Sequence, residues 1–220
     1  MKKRNFITQL HLRTKRNYKK RMMTNKVLCM KVAKKYDKDY WDGNRKYGYG
    51  GYKYIQNYWK KTAIKIINTY KLKNDSSILD IGCGKGFLLF EIKKLIPEIN
   101  IIGIDKSKYA ITNAKKEIKK SLRIYDATKK LPFKKNSFDL VISLGTLHNF
   151  SLSSLSKCIF EINRIAKKSY LMVESYRNDR ELFNLQCWAL TCQIFLNVDD
   201  WLWFLKKNKY KGDYEFIFFE

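Results

Sequence analysis

The segment ILDIGCGKG, residues 78–86, constrains the fold more than any other stretch of the 220-residue chain. An apolar run suited to a buried strand passes without a break into three glycines spaced two apart. A helix-period run, GFLLFEIKKLI (86–96), follows at once and stops at Pro97. Strand, glycine turn and helix in that order open a parallel α/β sheet. The alternation continues downstream. INIIGID (99–105), LRIYDA (122–127), FDLVISLG (138–145) and SYLMVES (169–175) read as strands. Helices are predicted over 107–120, with Ser107 as N-cap, and over 151–168. Upstream, Ile55, Tyr58, Trp59, Thr62, Ala63, Ile66, Ile67 and Tyr70 space a helix over 54–71. After the fifth strand, helices are expected over 181–196 and from Asp199 to Lys207, then a last strand over 214–220. The prediction is a Rossmann-like, doubly wound, mainly parallel sheet of six or seven strands. Its ligand belongs beyond the carboxyl ends of the strands, beside the first one.

Composition sets the frame. At 45% hydrophobic and 15% aromatic residues the chain can pack a core, which excludes wholesale disorder. Two prolines and no Gly/Ser linker give one folded domain, 54–220, preceded by a basic extension with a helical and loop cap, 1–53. Five cysteines without a CxxC pair predict free thiols in a reducing, cytoplasmic setting and no zinc site. No 18-residue apolar run or secretory h-region occurs, so no membrane span is expected. Oligomeric state is not legible. Residues 1–61 hold 19 Lys/Arg and 3 Asp/Glu, +16 of the total +26. Such an arm can bind nucleic acid through phosphates. A Lys- and Asn-rich composition throughout gives the same count with a merely solvated surface, and both readings stand. His11 lies in this arm and is expected at the surface.

The glycine turn cannot by itself separate two cofactor classes. A dinucleotide fingerprint needs a third glycine at position 87, where this chain has Phe87. Acids at three strand positions narrow the choice. Asp80 lies inside the first strand. Asp105 ends the second, where a carboxylate would accept from ribose hydroxyls, and Asp126 ends the third, where it could accept from an adenine amine.

Together ILDIGCGKG, IIGIDKS, YDATKKLPFKKNSFDLVISLGTLHN and LMVES resemble the class I S-adenosylmethionine-dependent methyltransferases, in the group of the ubiquinone/menaquinone and type 11 enzymes. The likeness covers roughly residues 75–175. It implies S-adenosylmethionine as cofactor, bound by Asp80, Gly82, Cys83, Gly84, Gly86, Asp105, Lys106, Asp126, Ala127 and Ser143, and no metal. His148, after the fourth strand, would sit near the transferable methyl as a base or hydrogen-bond donor, or as a packing residue. Glu174, ending the fifth strand, would meet the substrate or pair with Arg177, with Tyr176 and Arg177 just beyond. The implied activity is methyl transfer to an O or N of a small molecule, with a glycan or sugar-nucleotide precursor in view. RNA or protein methylation through the basic arm is the alternative.

The loop NRKYGYGGYKY (44–54) puts four tyrosines, three glycines and three basic residues into eleven positions. Arg45, Lys46, Tyr47, Tyr49 and Tyr52 are expected to cap the cofactor and meet the substrate, by stacking and by anion contacts. A turn packed on the following helix is the plainer reading. DYWDGNRKYGYGGYKY resembles a segment of bacterial methyltransferases often encoded in surface-polysaccharide regions.

Overall fold

The structure is a computed structural model that describes residues 1–50 and 53–220, so the expectation for Tyr52 lies outside the described residues. Six strands form one sheet: β1 Ser77–Ile81, β2 Asn100–Asp105, β3 Leu122–Ile124, β4 Phe138–Leu144, β5 Ala166–Glu174 and β6 Asp213–Ile217. Their order is β3-β2-β1-β4-β5-β6 and every neighbouring pair is parallel. The order reverses between β1 and β4, which opens a crevice at their carboxyl ends. Of the six or seven strands expected, six are present among the described residues, and the last runs parallel to β5.

Helices cover both faces, as parallel strands require. α5 (Lys60–Tyr70), α6 (Phe87–Leu95) and α7 (Lys108–Thr112) lie on one side, where Ile66, Leu89, Ile92 and Ile111 pack with Ile78, Leu140 and Ile142. α8 (Leu152–Ile165) and α10 (Val198–Lys207) lie on the other, where Leu155, Ile159, Ile162 and Trp201 pack with Leu79, Ile81 and Val141. Neighbouring residues of β1 and β4 thus serve opposite layers. Among the described residues no helix is long and apolar enough to cross a membrane. All five cysteines are free thiols.

The helix predicted over 151–168 ends at Ile165, where β5 begins, and three helices depart further from the predicted spans. α5 begins at Lys60 and not at 54, because Asn57 takes φ 62° and Ile55 and Tyr58 are left exposed. The helix-period pattern upstream is coincidental. α7 ends at Thr112 and not at 120, where the Asn113 side chain donates back to Tyr109 O at 2.9 Å. Such local side-chain bonds compete with helix continuation. α9 (Asp179–Trp188) stops eight residues short of 196, because the next backbone donors have other acceptors. Leu190 and Thr191 N–H donate to the Tyr49 hydroxyl, and Gln193 and Ile194 N–H to His148 O.

The basic extension folds as α1 (Thr8–Leu12), α2 (Tyr18–Met23), α3 (Lys26–Ala33) and α4 (Lys38–Trp41), and it docks onto the sheet. Lys3 bridges Tyr214 beside β6. The buried Glu215 carboxylate accepts from the N–H groups of Phe6 (2.7 Å), Ile7 (3.0 Å) and Thr8 (2.6 Å). An open parallel edge is thereby covered. His11 is therefore not a free surface residue. Its Nε2 lies 2.8 Å from Phe218 O, Arg16 lies 3.0 Å from Nδ1, and burial with that charge lowers its pKa to about 4.

Candidate functional site

The turn after β1 is closed by Gly82 and Cys83 N–H donating to Ile104 O at 2.8 and 3.1 Å. Gly82 and Gly84 have φ of 81° and 55°, values a side chain strains to adopt. A Cβ on Gly84 would lie 2.7 Å from the Trp41 ring, and one on Gly82 would strike Thr146. The glycines thus let the backbone approach two walls of one crevice.

Two cavities meet there, with Trp41, Gly82 and Leu144 lining both. The first, about 180 Å³, holds Asp105, Lys106, Asp126 and Ala127, roofed by Tyr36, Tyr40 and Trp41 and closed by Gly145, Thr146, Asn149 and Phe150. The second, about 370 Å³, holds Asp80, Cys83, Gly84 and Lys85 beneath Tyr49, Gly50, Lys53, Tyr58, Trp59 and Phe87.

Of the carboxylates at the site, Asp105 is braced: Oδ2 accepts from Gly84 N–H at 2.9 Å and Oδ1 from Ser107 N–H at 2.8 Å. Burial nevertheless holds its pKa above the ordinary value, against those two bonds. Asp126 accepts from Thr128 N–H and Oγ1 at 3.0 and 2.7 Å. Asp80 differs. Its Oδ1 is buried with no hydrogen-bond partner among the described residues. Burial, and the charge of Asp105, push its pKa up to about 8. An unpartnered buried carboxylate is costly and fits a cationic ligand placed against it.

The cap reaches the crevice through a short relay. Trp41 Nε1 donates to Ser107 Oγ at 2.8 Å, and Ser107 Oγ donates to Tyr36 O at 2.5 Å. Lys106 Nζ stands 4.3 Å from the Tyr36 ring centre. Asp42, next to Trp41, accepts from Lys85 Nζ at 2.6 Å and from the Tyr109 hydroxyl at 2.8 Å.

Not every anticipated residue reaches these cavities. Gly86 serves as the positive-φ cap of α6, and Ser143 is wholly buried, donating to Ile81 O at 2.9 Å. His148 is buried and lines neither cavity. Its Nδ1 accepts Glu174 N–H at 3.3 Å, which fixes the remaining proton on Nε2, 3.5 Å from Glu174 Oε2. Burial lowers its pKa, against the pull of Glu174. Arg177 does not pair with Glu174; it binds Glu181 and Glu220 and covers the Phe218 ring. Tyr176 packs with Leu185, Trp188 and Phe219.

Within the tyrosine loop, Tyr49 is a structural pin. It packs on Trp188 and Tyr40, and burial raises its pKa. Tyr47 packs against Cys29, Ala33 and Leu190, away from both cavities. The aromatics over the smaller cavity are instead Tyr36, Tyr40 and Trp41, a few residues upstream of the anticipated stretch. The signal for Tyr40 and Trp41 was present in DYWDG, immediately before that stretch; Tyr36 lies just upstream of it. Thr146 and Asn149 carried no distinguishing pattern.

Residues 72–217 match the methyltransferase domain family. Among curated proteins the chain is 35% identical over 91 residues to malonyl-[acyl-carrier protein] O-methyltransferase of Legionella pneumophila, covering 40% of this chain and 31% of that one. It is 36% identical over 118 residues to ribosomal RNA small subunit methyltransferase A of Wigglesworthia glossinidia brevipalpis, covering 51% and 45%. The chain thus spans less than half the length of these relatives. The YcgJ protein of Bacillus subtilis has the same fold, with a TM-score of 0.53 at 21% identity over 66% of each chain. β3 stops at Ile124, so Asp126 sits just beyond the strand it was expected to end. With a glycine turn beside Asp80, Asp105 and Asp126 and residues 72–217 matched, the chain belongs to the class I S-adenosylmethionine-dependent methyltransferase family.

Proposed function

We propose that the chain transfers a methyl group from S-adenosylmethionine to an oxygen or nitrogen of a small molecule held in the larger cavity. The observation that carries the reading is that cavity itself. Its walls are Trp41, Tyr49, Tyr58, Trp59 and Phe87, and it opens directly onto Asp80 and the glycine turn. Aromatic faces with hydroxyl and ammonium handles suit a small hydroxylated ring, such as the sugar of a glycan precursor.

The orphaned Asp80 oxygen supports the cofactor's fit, since an amino-acid ammonium supplies the missing donor. In this reading Asp80 holds that ammonium, Asp105 the ribose hydroxyls, and Asp126 with Ala127 the adenine edge. The cofactor supplies an electrophilic methyl whose leaving thioether is neutral. Gly82 and Gly84 let the backbone come close, and Trp41 shuts water out from above. Positioning of this kind contributes up to about 7–11 kcal/mol. His148 and Glu174 brace the wall beneath, because neither reaches the cavities. Residues 1–53 act as the cap.

Labelled cofactor incubated with purified protein and with two cell fractions, a low-mass filtrate and total RNA, tests the acceptor class. Label entering the filtrate and not the RNA is expected. The reverse would turn the reading toward RNA, which the +16 charge of residues 1–61 favours and the ribosomal RNA methyltransferase relative shares.

A further inference from the structure

A third cavity, of about 420 Å³, lies on the outer side of the cap. It is lined by Lys15, Lys20, Arg21, Arg45 and Lys46 around Trp188, and no Asp or Glu is among its lining residues. Lys15, Lys20, Arg45 and Lys46 are exposed, and none of the four makes an ion pair among the described residues. Arg21 is scaffold. Its guanidinium donates to Arg45 O and Gly48 O, both at 2.8 Å, which fixes the loop carrying Arg45. Arg16, Arg21 and Arg45 all stand within 6 Å of the Trp188 ring centre, at 5.5, 4.7 and 5.7 Å.

Like charges held this close repel one another, and a bound anion removes the repulsion. Indole faces offset part of it, as cation–π contacts do. The neighbouring wall gives the cavity a role. A Cβ on Gly50 would strike the Arg45 guanidinium, so Arg45 packs directly on Gly50. Gly50 lines the aromatic cavity over Asp80. Arg45 of the basic cavity and Gly50 of the proposed acceptor cavity are therefore in direct contact.

We propose that this basic cavity binds a phosphate or diphosphate group of the methyl acceptor, and so selects phosphorylated acceptors. Calling the ligand the acceptor rests on the methyl-transfer reading; anion binding at the cavity does not. Lys20 and Lys46 supply exposed ammonium donors, and Arg45 a guanidinium suited to two phosphate oxygens.

Calorimetry with inorganic pyrophosphate at 150 mM salt tests it, on the full chain and on the double variant Lys20→Ala/Lys46→Ala. Saturable binding is expected, weakened on the order of tenfold or more in the double variant. A control, Lys34→Ala/Lys35→Ala, removes the same charge from exposed positions outside the cavity and should leave the affinity within about twofold. Absence of saturable binding, or equal losses in both doubles, would overturn the proposal. A titration with S-adenosylhomocysteine in the same samples reports the cofactor site separately and should not change. An oligouridylate displaced by pyrophosphate would assign the phosphate to a nucleic-acid strand. Pyrophosphate binding without such displacement would assign it to a free metabolite.

Discussion

The indole N–H of Trp41 donates to the hydroxyl of Ser107 at 2.8 Å, tying the cap to the end of the second strand across 66 residues of chain. Ser107 is also the N-cap of α7, and its N–H binds Asp105. One serine therefore joins roof, helix and the Asp105 carboxylate.

Replacing Trp41 with Phe keeps a ring over Gly84 and removes that bond. A net hydrogen bond contributes about 0.5–1.5 kcal/mol. Affinity for S-adenosylhomocysteine should fall roughly two- to twelvefold by calorimetry. An unchanged affinity would show that the roof is not coupled to the site.

Asp80 makes ligand-free stability depend on pH. Burial, with the charge of Asp105, pushes its pKa up to about 8 from the ordinary 3.8, so between these the folded chain holds the extra proton. Stability then falls as pH rises from about 4 to about 8 and levels off beyond, since the unfolded form binds fewer protons in that window. Asp80→Asn should flatten this part of the Tm–pH curve. A cationic ligand that returns Asp80 to its charged form should bind more tightly as pH climbs to 8, releasing a proton. Calorimetry of S-adenosylhomocysteine in two buffers of different ionisation enthalpy measures that proton; none released near pH 7 would remove Asp80 as its partner.

Glu215 is the anchor of the amino-terminal segment. Glu215→Ala leaves three buried or half-buried N–H groups and the Tyr170 hydroxyl without their acceptor. A loss of about 3 kcal/mol or more is expected, lowering Tm by roughly 6–12 °C. Deletion of residues 1–8 should destabilise similarly. A stable, soluble deletion variant would mean that the sheet edge does not need its cover.

His148 is expected to act by structure alone. Its Nδ1 is occupied by Glu174 N–H and it lines neither cavity. His148→Ala should cost about 1–3 kcal/mol in thermal unfolding. The pH profile of kcat should keep its shape. Loss of an ionisation from that profile in His148→Gln would restore a role as base.

The layer architecture was legible because its signals are local. Alternating strand and helix runs, the glycine turn and the strand-end acids each occupy a few neighbouring residues, and β1, β2 and β4 lie within a residue or two of their predicted bounds. Helix ends were less legible. Asn57 and Asn113 interrupt periodic patterns, and a period does not show which polar side chain will compete with the helix.

The sequence by itself determined the parallel sheet, its reversal beside the first strand and the carboxylates at that crevice. Periodicity and turn chemistry act between adjacent residues and leave a pattern that can be read. Only the tertiary structure decided that Glu215 gathers the amino terminus, that Trp41 and not Tyr47 roofs the site, and that five cations share one cavity. Those pairings join positions dozens to hundreds of residues apart. They are set by which segment can satisfy an open edge or a buried polar group, and no local pattern encodes that.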